Sequence, residues 1–122
     1  MKTIKNFLVL LILLSGIALQ GCAQTNKNSE VIEIKSTVVC GMCKDRVEQN
    51  LPYTKGIKDV VVDLKTKIVK VTYNTKKTDP TAIRIALSKL GYAADDIPAD
   101  KKAFDALPPC CKDPNASDHS GK

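Results

Sequence analysis

The sequence predicts an α+β domain of the ferredoxin-like type, in which two helices cover one face of an antiparallel sheet. Three observations support this prediction. Segments with alternating apolar residues, typical of strands, are interleaved with helical segments in the order β-α-β-β-α-β. Both helical segments carry apolar residues at three- and four-residue spacing. The chain has 122 residues, of which 43% are hydrophobic, so it can form one ordinary domain with a core.

The first 21 residues are typical of an export signal, because Lys2 and Lys5 precede a short uncharged apolar run. That run is shorter than the ~20 apolar residues of a bilayer-spanning helix. Positions 19–22 resemble the lipobox of bacterial lipoproteins and end in Cys22. We therefore predict a lipoprotein that carries its lipid on Cys22 and faces the periplasm. Ordinary signal cleavage, with Cys22 uninvolved, is the alternative.

A polar stretch at 22–30 reads as a tether between the lipid and the domain, which we place at 31–97. The first strand is predicted at 31–38, where Ile32 and Ile34 alternate with charged residues. These two isoleucines are therefore expected to face the core.

The first helix is predicted at 43–51 because three apolar side chains, those of Cys43, Val47 and Leu51, share one face. A proline and a glycine follow this segment and end the helix.

The segments 57–64 and 69–73 predict a hairpin, because apolar residues alternate along both. Lys65 and Thr66 make a poor two-residue turn, so the loop is expected to include Lys67.

The second helix begins after Asp79, a good N-cap, with Pro80 as its first residue. Apolar residues then repeat at helical spacing up to Gly91, which is a good C-terminal stop. A short last strand is predicted at 92–94.

The tail at 98–122 contains a short helical segment at 100–107, with Phe104 and Leu107 on one face. Two prolines end that segment and place Cys110 and Cys111 on a stiff stem. The rest of the tail is polar and is expected to be disordered.

Two interpretations of Cys110 and Cys111 stay open. Adjacent cysteines rarely bridge to each other, so they can bind a soft metal ion or pair with another cysteine. In the first interpretation, the apolar face of the tail helix packs on the domain and brings both thiols to the site described below. In the second, they form a separate metal relay on a mobile tail. His119 also lies in the tail and is assigned no role.

The predicted chemistry lies in the C-x-x-C segment from Cys40 to Cys43. The second cysteine falls in the first turn of the first helix, where backbone N–H groups and the helix dipole favour a thiolate. Two soft thiolates suit Cu(I), Hg(II), Zn(II) or Cd(II). They underfill a tetrahedral zinc site but are sufficient for near-linear Cu(I) or Hg(II). We expect an exposed site that exchanges its ion with a partner.

The segment 31–97 resembles the heavy-metal-associated domain family of copper chaperones, metal-ATPase N-terminal domains and the periplasmic mercury-binding protein. The family motif G-M-x-C-x-x-C aligns with positions 37–43, with Thr37 in place of the glycine and Val38 in place of a methionine that packs beneath the site. The hairpin and the Leu-Gly-Tyr sequence that ends at Tyr92 also match. In bacterial chaperones of the family this tyrosine lies near the metal, so the resemblance implies that Tyr92 shields the ion.

These observations predict an exported metal-binding protein that is not an enzyme. It is expected to be a monomer that carries or sequesters Cu(I) or Hg(II), with Zn(II) or Cd(II) as further ions, and to pass the ion to a metal-transporting membrane protein. Cys40 and Cys43 are the primary ligands, with Cys110 and Cys111 as accessory ligands. The net charge of +6 is not gathered into a basic stripe with aromatics, which argues against nucleic acid as a partner.

Two alternatives use the same cysteines differently. A thiol–disulfide oxidoreductase would use the pair Cys40 and Cys43 for redox exchange. A structural lipoprotein would simply hold its cysteines oxidised, as exported proteins often do.

Overall fold

The computed structural model describes residues 27–113 and shows a three-stranded antiparallel sheet with helices. Cys22, His119 and the predicted export signal lie outside these residues. No helix within 27–113 is long and apolar enough to cross a membrane. The sheet has the strand order β1-β3-β2, and a 3-10 turn follows the first helix. The elements are β1 (Ser29–Lys35), α1 (Gly41–Asn50), β2 (Ile57–Asp63), β3 (Ile68–Asn74), α2 (Pro80–Lys89), α3 (Lys101–Asp105) and α4 (Pro109–Lys112).

The predicted ferredoxin-like fold is confirmed, but its last strand is much shorter than in a regular sheet. The prediction at 92–94 is reduced to an isolated antiparallel bridge between Ser36 and Ala94. The reason is a turn: the Ala94 N–H donates to the Ile97 carbonyl at 2.9 Å, and Asp95 adopts a left-handed φ of 52°. The chain therefore leaves the edge of β1 after one bridge.

The hairpin β2–β3 has the predicted alternation, with Val60 opposite Val71 and Val62 opposite Val69. Lys67 belongs to its loop, as expected, and has a positive φ of 58°. The Asp63 carboxylate accepts hydrogen bonds from the backbone N–H groups of Lys65 and Thr66, which lowers the pKa of Asp63 and closes the turn.

The helices bury the apolar faces that their spacing predicted. Val47 of α1 and Leu87 of α2 are fully buried. The Asp79 side chain caps α2 by accepting the Ala82 N–H at 2.9 Å, as predicted. α1 begins at Gly41, two residues before the predicted start. Cys40, the first cysteine of the C-x-x-C, precedes the helix as its N-cap residue with an extended backbone. The helix thus contains all but the first residue of that segment.

The tail packs on the domain as far as Lys112. The Ser88 hydroxyl donates to the Pro98 carbonyl at 2.7 Å, and Leu107 is buried in the common core. Gly91 makes this docking possible, since its φ is +100° and a Cβ there would lie 3.1 Å from Leu107 and from the Ala103 backbone. Phe104 packs against the same core, so the predicted apolar face of the tail helix does contact the domain.

Candidate metal centre

The C-x-x-C segment forms the entry to α1. Cys40 is the N-cap residue with an extended backbone, and its carbonyl accepts the Lys44 N–H at 3.0 Å. Cys43 lies in the first turn, three residues later. This local geometry turns both side chains to the same point, and their sulfur atoms are 3.2 Å apart. The spacing of the segment alone explains this proximity.

The docked tail brings a second pair of thiols to the first. The Cys111 sulfur lies 3.9 Å from that of Cys40. The Cys110 sulfur lies 3.7 Å from the Met42 sulfur. The three sulfurs of Cys40, Cys110 and Cys111 are all within 4.8 Å of one another. Every cysteine between residues 27 and 113 is a free thiol. Together with the Met42 sulfur, these four thiols place five sulfur atoms at one corner of the domain.

The expectation of an exposed site is wrong. Cys40 is 4% exposed, Cys43 is 0% exposed and Cys111 is 3% exposed. Cys43 is buried in the hydrophobic core, while α4 packs against α1 and brings the Cys111 sulfur 3.9 Å from that of Cys40. The tail therefore covers Cys40, a contact that the spacing of residues cannot reveal.

Solvent reaches this sulfur cluster from two sides. Cys110 is partly exposed, and the neighbouring Met42 is 54% exposed. Cys111 forms part of the wall of an apolar groove of about 760 Å³, whose rim carries lysines. Those lysines are Lys35, Lys67, Lys101 and Lys112. An ion or a small anionic thiol can therefore approach the cluster without unfolding of the domain.

The thiols differ in acidity although they touch. Burial raises the pKa of Cys40, and its hydrogen bond with Cys43 raises it further. Burial also opposes ionisation of Cys43, but the Cys111 thiol and the Val39 backbone N–H outweigh it and lower the pKa of Cys43. Burial and the neighbouring Cys43 raise the pKa of Cys111. Of these three thiols, Cys43 is therefore the most acidic, in keeping with its place at the helix start.

Tyr92 lies in the wall of the cluster and is fully buried. Its hydroxyl has no hydrogen-bond partner among residues 27–113. Burial raises the pKa of Tyr92, and the nearby sulfurs of Cys43 and Cys111 raise it further. The hydroxyl thus stays neutral beside these two sulfurs, and its role as a shield for the ion stays a prediction.

The two departures from the family motif have structural roles. The Thr37 hydroxyl accepts the Ala93 N–H at 3.1 Å and so ties the loop before the cysteines to the segment that bears Tyr92. Val38 is fully buried beneath the site, where the motif has a methionine. Both residues hold the loop, while a partly exposed sulfur is supplied by Met42 on its other side.

Chemically, such a cluster can bind a soft metal ion or undergo oxidation. Deprotonated sulfurs are the preferred ligands of Cu(I) and Hg(II), and binding releases their protons. A short movement from 3.2 Å would also close a disulfide between Cys40 and Cys43. The four cysteines and Tyr92 that were predicted from the sequence lie together in the structure, but no pattern of residues indicated the burial or the contact with Met42.

A family model described as the heavy-metal-associated domain matches residues 33–93, which is half of the chain. A copper-exporting P-type ATPase of Staphylococcus aureus (strain JH9) is 33% identical over 66 residues, which amount to 53% of this chain and 8% of the ATPase. The match thus spans a small part of that relative's length.

Solved structures show the same fold. The CopZ metallochaperone is 26% identical, with a TM-score of 0.51 over 53% of this chain and 98% of its own. The water-soluble region of the P-type ATPase CopA from Bacillus subtilis is 31% identical, with a TM-score of 0.50 over 54% of this chain and 44% of its own. Oxidized MerP from Ralstonia metallidurans CH34, at 20% identity, has a TM-score of 0.52 over 55% of this chain and 94% of its own, and shows the fold alone.

Proposed function

Because this chain belongs to the heavy-metal-associated domain family, we propose that it binds a soft thiophilic ion, Cu(I) or Hg(II), and carries or sequesters it. Cys40 and Cys43 are the primary ligands of this proposal. The observation that supports it most strongly is the convergence of their sulfurs, 3.2 Å apart at the start of α1, with a lowered pKa at Cys43. Cu(I) is favoured by the likeness to a metallochaperone and to copper-exporting ATPases.

Binding is tested by titrating the reduced chain with Cu(I) against a chromophoric chelator of known affinity. We expect one tightly bound ion per chain and its loss in the double variant Cys40→Ser/Cys43→Ser. Hg(II), Zn(II) and Cd(II) are titrated in parallel to rank the ions. No tight binding of any of the four by the reduced chain would contradict the proposal.

Export and lipid attachment are a separate part of the proposal. The apolar run and Cys22 support a periplasmic lipoprotein, held at a membrane by its acyl chains. Such a location would place the ion carrier next to a metal-transporting membrane protein, its proposed acceptor. Intact mass spectrometry of the exported protein checks this, since a lipid on Cys22 adds mass that the variant Cys22→Ala lacks.

A thiol–disulfide oxidoreductase is the second candidate, favoured by the contact between the sulfurs of Cys40 and Cys43 and by the lowered pKa of Cys43. A disulfide-exchange assay on metal-free protein separates the two functions. Turnover of a disulfide substrate that depends on Cys43 would support this candidate against the metal carrier.

A further inference from the structure

We infer that the tail supplies a third thiolate to the bound ion, and that Cys111 is that ligand, with α4 as a removable cover. The inference rests on the proposed function and specifies how its site holds the ion. The site would then be a three-sulfur site assembled within one chain, rather than an open two-sulfur site.

The distances between sulfur atoms carry this inference. With metal–sulfur bonds of about 2.3 Å, two sulfurs on one ion lie about 4.6 Å apart in linear coordination, about 4.0 Å in trigonal and about 3.8 Å in tetrahedral coordination. The Cys40 and Cys111 sulfurs are 3.9 Å apart, which already suits a shared three- or four-coordinate ion. The Cys40 and Cys43 sulfurs, at 3.2 Å, must separate by much less for a trigonal ion than for a linear one.

Packing around the cysteines favours the smaller separation. Cys43 is fully buried between the helix and the sheet, and Val38 and Tyr92 close the space around it. A linear ion would force the two sulfurs of the C-x-x-C apart by about 1.4 Å inside a filled core, whereas trigonal coordination with a third ligand reduces that movement to about 0.8 Å.

Cys40 occupies the central position in this arrangement. Its sulfur contacts Cys43 on the domain side and Cys111 on the tail side, and Cys110 lies within 4.8 Å as well. Cys110 is the outermost of these thiols and touches the exposed Met42. Thiolate exchange can therefore begin at Cys110 and proceed inward, with each new metal–sulfur bond forming as another breaks and the ion's charge state unchanged.

The test is X-ray absorption at the copper edge of the full chain loaded with one Cu(I), reduced and without added thiols. We expect about three sulfur neighbours in the native chain and in Cys110→Ser, and about two in Cys111→Ser. A second variant, Leu107→Asp, keeps every cysteine but removes the apolar contact that docks the tail, and it should also show about two. The matched control Lys102→Ser alters an exposed position of the same tail and should keep three.

Two sulfurs in the native chain, or three in Cys111→Ser, would overturn the inference. A native chain that binds no Cu(I) would instead overturn the proposed function. Release of Cu(I) to a chelator adds an independent measurement, since removal of the tail thiols should accelerate it at least tenfold. Equal release rates would contradict the role of α4 as a cover.

Discussion

The two cysteine pairs of this chain are held in place by different means. Cys40 and Cys43 are positioned by one helix start, so their proximity follows from a four-residue segment. Cys110 and Cys111 reach the same corner only because the tail docks on α2 and on the loop that follows it. A local pair survives small changes elsewhere in the domain, whereas a pair delivered by long-range packing is as stable as the contacts that dock it. We therefore expect Cys40 and Cys43 to act as a permanent ligand pair, and Cys110 and Cys111 as a pair that can detach with the tail.

Replacing the central thiol should produce the largest effect. Cys40 lies between the two pairs, with its sulfur 3.2 Å from that of Cys43 and 3.9 Å from that of Cys111, so Cys40→Ser removes a sulfur that contacts both. We expect Cu(I) affinity to fall by at least ~100-fold, and Cys43→Ser to cost less because Cys40 and the tail thiols remain. Competition titration of both variants measures the difference. A greater loss in Cys43→Ser would show that the tail pair does not act with Cys40.

Undocking the tail should come next. Leu107→Ala deletes a buried side chain and is expected to lower the free energy of unfolding by about 2–3 kcal/mol. The change should leave the contact between Cys40 and Cys43 intact, since the start of α1 positions both of these residues. Denaturant unfolding gives the free energy, and the accessibility of Cys111 to a thiol reagent reports the docking. Unchanged Cys111 labelling would contradict the comparison.

Gly91→Ala should also weaken the packing of the tail on the domain, but through a residue of the domain rather than of the tail. Its left-handed φ opposes a side chain, and so does the tail, which lies 3.1 Å from the position that a Cβ would occupy. We expect a loss of about 1–2 kcal/mol and faster labelling of Cys111. Gly56→Ala, with a φ of +87° away from the tail, is the matched control and should lose stability without changing that labelling.

A smaller effect on the free energy of unfolding is expected at the turn around Asp95, which follows the segment that bears Tyr92. The Asp95 carboxylate accepts from the Lys35 N–H at 2.9 Å and from Arg84 at 2.7 Å, and these partners lower its pKa below 3.8. Because the pKa of Asp95 is lower in the folded chain than in the unfolded chain, the ionised carboxylate stabilises the fold at pH values above the pKa of the unfolded state. This stabilisation is lost as the pH falls through the pKa of the folded state. Asp95→Asn should therefore cost about 1 kcal/mol at neutral pH and progressively less below pH 3.8. Unfolding curves of both proteins across this range test the sign.

The smallest effect is expected on the open face of the sheet. Val61 is 49% exposed and lies opposite Lys70 in the hairpin register, on the face of the sheet that points away from the core. Val61→Thr should change the free energy of unfolding by less than about 0.5 kcal/mol and leave metal affinity unchanged. A weakened ion site in this variant would show that the sheet face takes part in binding after all.

Much of the fold could be predicted because the signals are local. The alternation in β2 and β3, the Asp79 cap and the spacing in α1 each depend on neighbouring residues, and all of them are present in the structure. The last strand was predicted too long because its end depends on a left-handed turn at Asp95, which no repeating pattern of residues marks. The structure brings the predicted cysteines together but buries three of them, which the sequence did not indicate; their roles as ligands stay predictions.

The sequence by itself determined the order of the elements, the C-x-x-C at the start of a helix and the presence of a second thiol pair behind two prolines. Only the tertiary structure decided that the two pairs meet, that three of the sulfurs are buried and that Tyr92 adjoins them. The reason is physical, because a helix start or a strand depends on residues within a few positions. The contact between Cys40 and Cys111 instead joins parts of the chain that are 71 residues apart. It depends on packing between Gly91 and Leu107, which no local pattern encodes.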